Sequence, residues 1–169
     1  LGANLLNDVR SFTREGALAA AVSTGLPLCI MHMRGEPSSM QQLTEYENVT
    51  QEVKSWLANR LQELVAAGVA QEKILLDPGF GFAKLLPHNL QLLAELSSLA
   101  ELGQPLLVGM SRKSMLGELT GKEPLARDPA GLAAHLLAAQ QGAAILRVHN
   151  VEPMADALKV WRAVEAAKN

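Results

Sequence analysis

The sequence predicts an α/β fold built on a parallel sheet; two observations support this, and a third argues against a dinucleotide-binding sheet. Five short apolar runs alternate along the chain with segments of helical spacing. The runs carry Leu, Ile or Val at successive positions, which is typical of parallel strands buried on both faces. No G-x-G-x-x-G motif follows the first run, as a dinucleotide-binding sheet would require. The alternation therefore predicts either a doubly wound open sheet or a (β/α) barrel.

The elements are expected in the order β-α-β-α-β-α-β-α-β-α. The predicted strands are residues 3–7, 26–33, 73–77, 105–110 and 143–149. The predicted helices are residues 15–24, 45–67, 88–102, 129–141 and 152–167. The sequence contains no repeat and no linker long enough to divide it, so a single domain spanning residues 1–169 is expected.

Helix ends carry their own signals. Thr44 followed by Glu47 has the spacing of a capping box, and Asp128 before Pro129 predicts an N-cap. Four glycines each follow a predicted helix, where a left-handed residue is favoured: Gly25, Gly68, Gly103 and Gly142. The apolar residues between positions 45 and 67 recur at helical spacing, which favours a core-facing side over a cofactor-binding one.

Composition limits the possible partners. The chain has 169 residues, 49% of them hydrophobic, and a net charge of −2, so no binding to nucleic acid or anionic lipid is expected. The uncharged stretch 16–33 contains Gly25 and Pro27 and is interpreted as helix, turn and strand, with no membrane span. The single cysteine, Cys29, lies in an apolar run and fits a reducing cytoplasm.

Polar residues follow each predicted strand. The strand ends carry Asn7-Asp8, then His32 with Arg34, then Asp77, then Ser111-Arg112-Lys113, and last Arg147 and His149. Because the carboxyl ends of parallel strands meet at one edge of the sheet, these side chains are expected to converge there. The strand starts show no comparable set of polar residues.

Taken singly, most of these residues have a structural explanation. Asn7 or Asp8 could cap a turn, His32 is more typical of a satisfied core histidine, and Ser111 could be an N-cap. Asp77 is harder to explain in this way, because a carboxylate at a buried strand end needs a cation or several donors. The available cations are Lys113 and Arg147.

The residue types indicate the ligand. Asp77 can accept two N–H donors of a flat heterocycle, with Asn7 donating and accepting beside it. Ser111, Arg147 and His149 suit a phosphate group. Two aromatic residues between glycines could stack on a ring: Phe80 and Phe82.

These motifs together resemble those of dihydropteroate synthase, in the order and at the spacing of that family. The motifs are Asn7-Asp8-Val9-Arg10, Met31-His32-Met33-Arg34-Gly35, Leu76-Asp77-Pro78-Gly79-Phe80-Gly81-Phe82, Gly109-Met110-Ser111-Arg112-Lys113-Ser114 and Arg147-Val148-His149. The resemblance implies a (β/α)8 TIM barrel of which this chain carries units four to eight, the C-terminal portion. It also implies folate synthesis, in which p-aminobenzoate displaces diphosphate from a dihydropterin methyl group.

The resemblance further implies a role for each site residue. The residues implied to be catalytic are Asp77 on the pterin, Lys113 between the two substrates, and Arg147 and His149 on the departing diphosphate. The residues implied to bind substrate are Asn7, Met33, Gly81, Phe82 and Ser111. Sulfonamides are expected to compete with p-aminobenzoate, and a homodimer is expected through the last helices, around Leu132, Leu136 and Leu137. Mg²⁺ is the expected cofactor, with its protein ligand in the family's N-terminal part and none in this chain.

The sequence departs from the family pattern in three respects. Ala83 stands where a glycine is usual before the lysine, and Asn150 stands where an aspartate is common. The family's early loops, with part of the diphosphate, metal and pterin site, have no counterpart in the chain. We therefore expect the 169-residue chain by itself to be inactive.

Three alternatives remain open. A corrinoid-dependent methyltransferase barrel would share the pterin-binding residues but has no use for a diphosphate site. A Schiff-base aldolase would need Lys113 desolvated and neutral, which Arg112 beside it and a nearby phosphate should oppose. A non-catalytic fragment would bind pterin, or simply fold, without turnover.

Overall fold

The computed structural model describes residues 2–168 and contains one parallel sheet in sequential order. Its strands are Leu6–Asp8 (β1), Leu28–Met31 (β2), Ile74–Asp77 (β3), Leu106–Val108 (β4) and Ala143–Leu146 (β5). They pair in the order β1-β2-β3-β4-β5, every pair parallel. A doubly wound sheet reverses its strand order at a switch point, whereas a barrel adds each strand beside the last. The order therefore confirms the barrel type of winding and excludes the open doubly wound sheet.

The helices lie between the strands, as predicted. They are Ala17–Ser23 (α1), Val49–Ala66 (α2), Leu86–Ala94 (α3), Ser114–Thr120 (α4), Asp128–Gln140 (α5) and Val151–Ala166 (α6). Short 3₁₀ turns cover Met40–Gln42, Gln71–Lys73, Leu96–Leu102 and Pro124–Ala126. The predicted helix 88–102 is divided, since α3 ends at Ala94 and a 3₁₀ segment continues to Leu102. Helix α4 was not predicted, because its seven residues are too few to show a helical period.

Two predicted helix caps are wrong. Helix α2 begins at Val49, and Asn48 caps it by accepting a hydrogen bond from the Gln51 amide at 3.0 Å, so Thr44 is not its cap. Asp128 makes no capping bond, because its carboxylate binds Arg112 instead. The predicted left-handed conformation after the helices is confirmed at all four glycines: Gly25, Gly68, Gly103 and Gly142.

The core lies mainly between the sheet and the helices. Alternate strand residues such as Leu28, Ile30 and Leu76 pack there against α2 and its neighbours. The opposite face of the sheet carries a small second cluster of Cys29, Leu75 and Leu107. Burial on both faces is confirmed for β2, β3 and β4 but is wrong for β1 and β5, which lie at the two edges of the sheet that residues 2–168 form. No helix within residues 2–168 has the length and apolarity needed to cross a membrane.

Candidate functional site

The side chains of three neighbouring strand ends point to the same face of the sheet. Leu75 and Leu107 belong to the small cluster on that face. Because side chains alternate along a strand, Asp77 and Gly109, each two residues further on, lie on that face as well. Ile145 pairs with Leu107, which places Arg147, two residues beyond it, beside them. The polar ends of β3, β4 and β5 therefore converge, as the sequence predicted.

Asp77 and Arg147 form an ion pair across the end of β4. The Asp77 carboxylate is only 1% exposed, and its Oδ2 accepts a hydrogen bond from Arg147 Nη2 at 2.9 Å. Its Oδ1 accepts another from the Gly79 amide at 2.8 Å. Gly109 lies beneath the arginine, where an added Cβ would stand 2.8 Å from Nη2. A glycine at this position therefore leaves the space that Arg147 needs to reach Asp77.

Lys113 lies on the other side of Asp77 and faces the loop after β3. Its Nζ donates to the Phe80 carbonyl and stands 4.8 Å from the centre of the Phe82 ring, over its face. A Cβ on Gly81 would be 3.2 Å from the Lys113 Cδ, so loop and lysine are in close contact. The cation that pairs with the buried carboxylate is thus Arg147 and not Lys113.

The surroundings of Lys113, though not its charge at neutral pH, differ from the sequence-based expectation. Burial lowers the pKa of Lys113 from 10.5 to about 8, an effect that the charge of Asp77 opposes and that of Arg147 reinforces. Arg112, which was expected to influence it, turns away and forms a bidentate pair with Asp128 at 2.8 and 2.9 Å. Lys113 therefore remains mainly protonated at neutral pH but loses its proton more readily than an exposed lysine.

Ser111 and His149 meet at the mouth of the site. His149 Nδ1 lies 2.8 Å from Ser111 Oγ, and the His149 amide donates to the same oxygen at 3.3 Å. Both side chains border a cavity of about 210 Å³ that Lys113 and Arg147 also line. The cavity thus brings together two cationic side chains, a hydroxyl group and an imidazole. That donor set suits an anion such as a phosphate group.

The same side chains do not suit a divalent metal. Mg²⁺ prefers carboxylate, carbonyl and water oxygens, whereas this cavity presents mainly cations. Across residues 2–168 the structure contains no cluster of three His, Cys, Asp or Glu side chains that could hold a metal ion.

Asn7 and Met33 lie apart from this cluster. Asn7 is exposed on β1, which is separated from β3 by β2, and its register with Cys29 places it on the face that carries Asp77. Met33 is buried beside a second cavity of about 210 Å³, which Arg10 and Glu36 also line. The structure therefore places both residues at the same sheet edge but joins neither to Asp77 by a direct contact.

The two predicted aromatic residues of the β3 loop have different environments. Phe82 is partly exposed beside Lys113, so it remains a candidate for contact with a ring. Phe80 is fully buried in the core between sheet and helices, so the prediction that it could stack on a ligand is wrong. Gly79 turns the chain at φ +71°, which directs Phe80 inward.

Sequence reasoning missed three buried polar residues that hold the site loops: Lys84, Asn89 and His135. His32 was interpreted as a core histidine, which its burial confirms, but its partner Lys84 was not identified. His135 Nε2 accepts from the Met110 amide at 3.1 Å, fixing the loop that carries Ser111. Asn89 and His135 occupy core-facing positions of their helices, so a polar residue within the apolar period was the available signal.

Comparisons with known proteins agree with this arrangement. The family model described as "Pterin binding enzyme" matches residues 1–149. The dihydropteroate synthase of Escherichia coli K12 is 48% identical over 168 residues, which is 99% of this chain and 60% of that enzyme. The chain therefore spans about 60% of the length of this curated relative.

Solved structures are similar as well. The dihydropteroate synthase of Yersinia pestis in a sulfonamide drug complex has a TM-score of 0.95 and 47% identity, and the match covers 98% of this chain and 60% of that one. The Xanthomonas albilineans enzyme in complex with 7,8-dihydropteroate has a TM-score of 0.91 and 46% identity, with 98% and 60% covered. At such identity the strand ends described above correspond in position to those of solved barrels.

Proposed function

Because the chain belongs to the pterin-binding enzyme family, we propose that the protein it forms or forms part of is a dihydropteroate synthase. The observation that carries the proposal is the adjacency of two sites: a buried carboxylate at Asp77 and an anion-binding cavity lined by Arg147 and His149. Since the chain spans about 60% of its relative, the activity is proposed for the full-length product of its gene.

Asp77 would hold the pterin. Each carboxylate oxygen can accept more than one hydrogen bond, so Asp77 can accept ring N–H donors while it keeps Arg147. Its burial makes those bonds strong, because water does not compete for them. Asn7, on the same face of the sheet, would contact another edge of the ring, with Met33 packing nearby. The carboxylate would also stabilise positive charge that develops on the pterin methylene as the leaving group departs.

Arg147, His149 and Ser111 would bind the leaving diphosphate. In the proposed reaction the amine of p-aminobenzoate attacks the methylene carbon, a C–N bond forms and the C–O bond to diphosphate breaks. Negative charge grows on the departing oxygen, so donors already aimed into the cavity stabilise the transition state more than the substrate. The amine proton leaves to water or to the diphosphate. We keep Mg²⁺ as a proposed cofactor held outside the described residues, and we assign no step to it.

The p-aminobenzoate would lie between the β3 loop and Lys113. Phe82 offers a partly exposed ring, Gly81 offers backbone close to it, and Lys113 offers a cation. Ser111 lies at the rim of the same cavity. A sulfonamide shares the aniline ring of p-aminobenzoate and should therefore compete for this position.

The direct test is a coupled assay of the full-length product. Incubation with dihydropterin methyl diphosphate and p-aminobenzoate should form dihydropteroate and diphosphate in equal amounts, and a sulfonamide should inhibit competitively with p-aminobenzoate. Absence of dihydropteroate, with methyl transfer to a corrinoid instead, would overturn the proposal in favour of the methyltransferase barrel. Borohydride with an aldehyde should not label Lys113, since a Schiff-base mechanism is not part of the reaction. The 169-residue chain by itself should form no detectable product.

We also propose a cytoplasmic homodimer. The exposed apolar side chains of the last two helices support the dimer, among them Leu137 on α5 and Val160 and Val164 on α6. The one buried thiol, Cys29, is compatible with a reducing compartment. Light scattering of the full-length product should give twice the monomer mass. The Val160→Glu variant should give the mass of a single monomer.

A further inference from the structure

The ammonium group of Lys84 is enclosed by three acceptors. The side chain is only 3% exposed. Its Nζ lies 2.9 Å from His32 Nδ1 and donates to the carbonyl oxygens of Gly79 at 3.0 Å and Phe82 at 3.1 Å. Burying a lysine is costly unless its N–H groups are bonded, and here every one of them is. Such complete satisfaction indicates that the position of the amine is fixed.

The acceptors belong to two different strand ends. His32 directly follows β2, whereas Gly79 and Phe82 belong to the loop that follows β3. The loop also approaches β2 very closely, since a Cβ on Gly79 would stand 1.9 Å from the His32 carbonyl oxygen. Lys84 therefore joins the loop to β2 at the point where the two backbones touch.

Helix α3 holds the same loop from its other side. The buried Asn89 accepts a hydrogen bond from the Gly81 amide at 2.7 Å and donates to the Lys84 carbonyl at 3.0 Å. Between these anchors Ala83 is buried with φ +52°, a conformation that alanine adopts only when its surroundings enforce it. The loop is thus over-determined, which is typical of a segment that must present side chains in one arrangement.

We propose that Lys84 is a positioning residue that fixes Gly81 and Phe82 against Lys113 and so shapes the aromatic-amine side of the site. The inference rests on the proposed synthase function. It goes beyond it because Lys84 touches no substrate: it acts through the backbone of the loop and through His32. Lys84 binds the carbonyl of Phe82 itself and the carbonyl of Gly79, which lies two residues before Gly81.

Lys84 can keep its three hydrogen-bond partners whether its amine is protonated or neutral. Burial lowers the pKa of Lys84 to about 7, while burial and then the Lys84 charge lower that of His32 to about 2, so the imidazole is neutral. A charged Lys84 donates to all three acceptors. A neutral Lys84 still donates to both carbonyls and can accept from Nδ1–H of the other His32 tautomer. The charged groups that act on the amine are Asp77, Lys113 and Arg34.

The test compares Lys84→Met with the exposed control Lys159→Met in the full-length product. Hydrogen exchange at the Gly81 and Phe82 amides should accelerate by about tenfold in Lys84→Met and stay unchanged in strand β4. The KM for p-aminobenzoate should rise by about tenfold while kcat changes less than about threefold, since geometry and not chemistry is altered. The control should match the parent protein in both measurements. Unchanged exchange and unchanged KM in Lys84→Met would overturn the proposal.

A second pair of variants tests the positioning role of Lys84 if Lys84→Met does not fold. His32→Asn keeps an acceptor near the position of Nδ1, whereas His32→Leu removes it. Loop exchange and the KM for p-aminobenzoate should rise in His32→Leu and be mostly rescued in His32→Asn, and equal effects of the two would contradict the proposal. Hydrogen exchange needs no turnover, so it tests Lys84 even if the full-length product makes no dihydropteroate and the proposed function fails.

Discussion

The residues after β3 and those after β5 meet at one carboxylate but are held in opposite ways. The β3 loop is enclosed: Lys84 and Asn89 satisfy its backbone from two sides, and both are buried. Within residues 2–168 the β5 end is more open, since Arg147 is 42% exposed and His149 is exposed. The first arrangement creates fixed walls, and the second leaves donors free to gain partners.

This difference fits the two halves of the proposed reaction. A flat ring is recognised by groups that do not move, because each displaced contact reduces the binding energy. A diphosphate must be bound and then released, which favours donors that water can reach and rehydrate. Asp77 belongs to both regions, because its two oxygens accept from the Gly79 amide of one and from Arg147 of the other. Substitutions at this carboxylate and around it can therefore test the contribution of each region by itself.

The largest effect is expected where the two regions join. Asp77→Asn keeps an acceptor for the Gly79 amide but removes the charge that faces Arg147. The kcat/KM of the full-length product should fall by roughly a hundredfold to a thousandfold, the equivalent of about 3–4 kcal/mol, because the buried carboxylate loses the charge that faces Arg147 and the proposed pterin site. The control Asp156→Asn breaks an exposed pair with Lys159 on α6 and should stay within about twofold. Similar losses in both variants would show that the carboxylate has no special role.

A smaller effect should follow from moving Arg147 without removing it. The Cβ of Gly109→Ala would stand 2.8 Å from Arg147 Nη2 and displace the guanidinium from Asp77. The kcat/KM should fall by roughly thirtyfold, the equivalent of about 2 kcal/mol for one charge-assisted bond. Stability should fall as well, because the displaced guanidinium leaves the buried Asp77 carboxylate without its cation. Gly131→Ala, where the nearest atom would be 3.7 Å away, is the matched control and should retain activity.

Lys113 faces both regions, and its titration should appear in the pH profile. Its pKa is lowered from 10.5 to about 8, so the cation is present below pH 8 and is lost above it. If the charge assists departure of the diphosphate, kcat/KM should decline above pH 8 by about tenfold per pH unit. Lys113→Arg should lower the overall rate but abolish this alkaline decline, because a guanidinium stays protonated. An alkaline decline that persists unchanged in Lys113→Arg would show that Lys113 is not the titrating group.

The sequence predicted the order of elements well, because apolar runs and helical spacing are local signals. It failed where a longer-range contact decides the outcome. Asp128 before Pro129 has the sequence pattern of a helix cap, but both of its carboxylate oxygens accept hydrogen bonds from the guanidinium of Arg112 instead. The edge strands β1 and β5 were predicted from apolar runs as the central ones were, and within residues 2–168 their place at the edges of the sheet leaves them partly exposed.

The candidate site was predictable to the extent that its residues follow strands. The need of Asp77 for a cation followed from burial alone, but the choice between Lys113 and Arg147 required the geometry around Gly109. The role of Lys84 depends on contacts with backbone carbonyls, which leave no pattern of residue types, whereas Asn89 could have been noticed as a polar residue within the apolar period of α3. Phe80 and Phe82 are equivalent in sequence, and the turn at Gly79 decides which of them is buried.

The smallest expected effect concerns the enclosed region alone. Ala83→Gly changes the free energy of unfolding in three ways. Relief of the left-handed alanine stabilises the protein by about 1–2 kcal/mol. Loss of the buried methyl group costs about 0.8 kcal/mol, and the greater chain entropy of glycine in the unfolded state costs roughly 0.5–1 kcal/mol. These terms nearly cancel, so urea unfolding should give a change within about 0.5 kcal/mol of zero. Ala70→Gly, at an exposed position with φ −63°, lacks the relief and should destabilise by about 0.5–1 kcal/mol.

The contrast between these two substitutions measures how strongly the loop is constrained. If Ala83→Gly destabilises the protein by about 0.8 kcal/mol more than Ala70→Gly does, which is the cost of the lost buried methyl group, the left-handed alanine carries no strain, and the surroundings are not forcing the backbone at that position. If it does not, the loop is held in an unfavourable conformation by Lys84 and Asn89. A backbone conformation that is unfavourable by itself persists only where the surrounding structure enforces it. Here that conformation places Gly81 and Phe82 against Lys113, which is the structural role we assign to it.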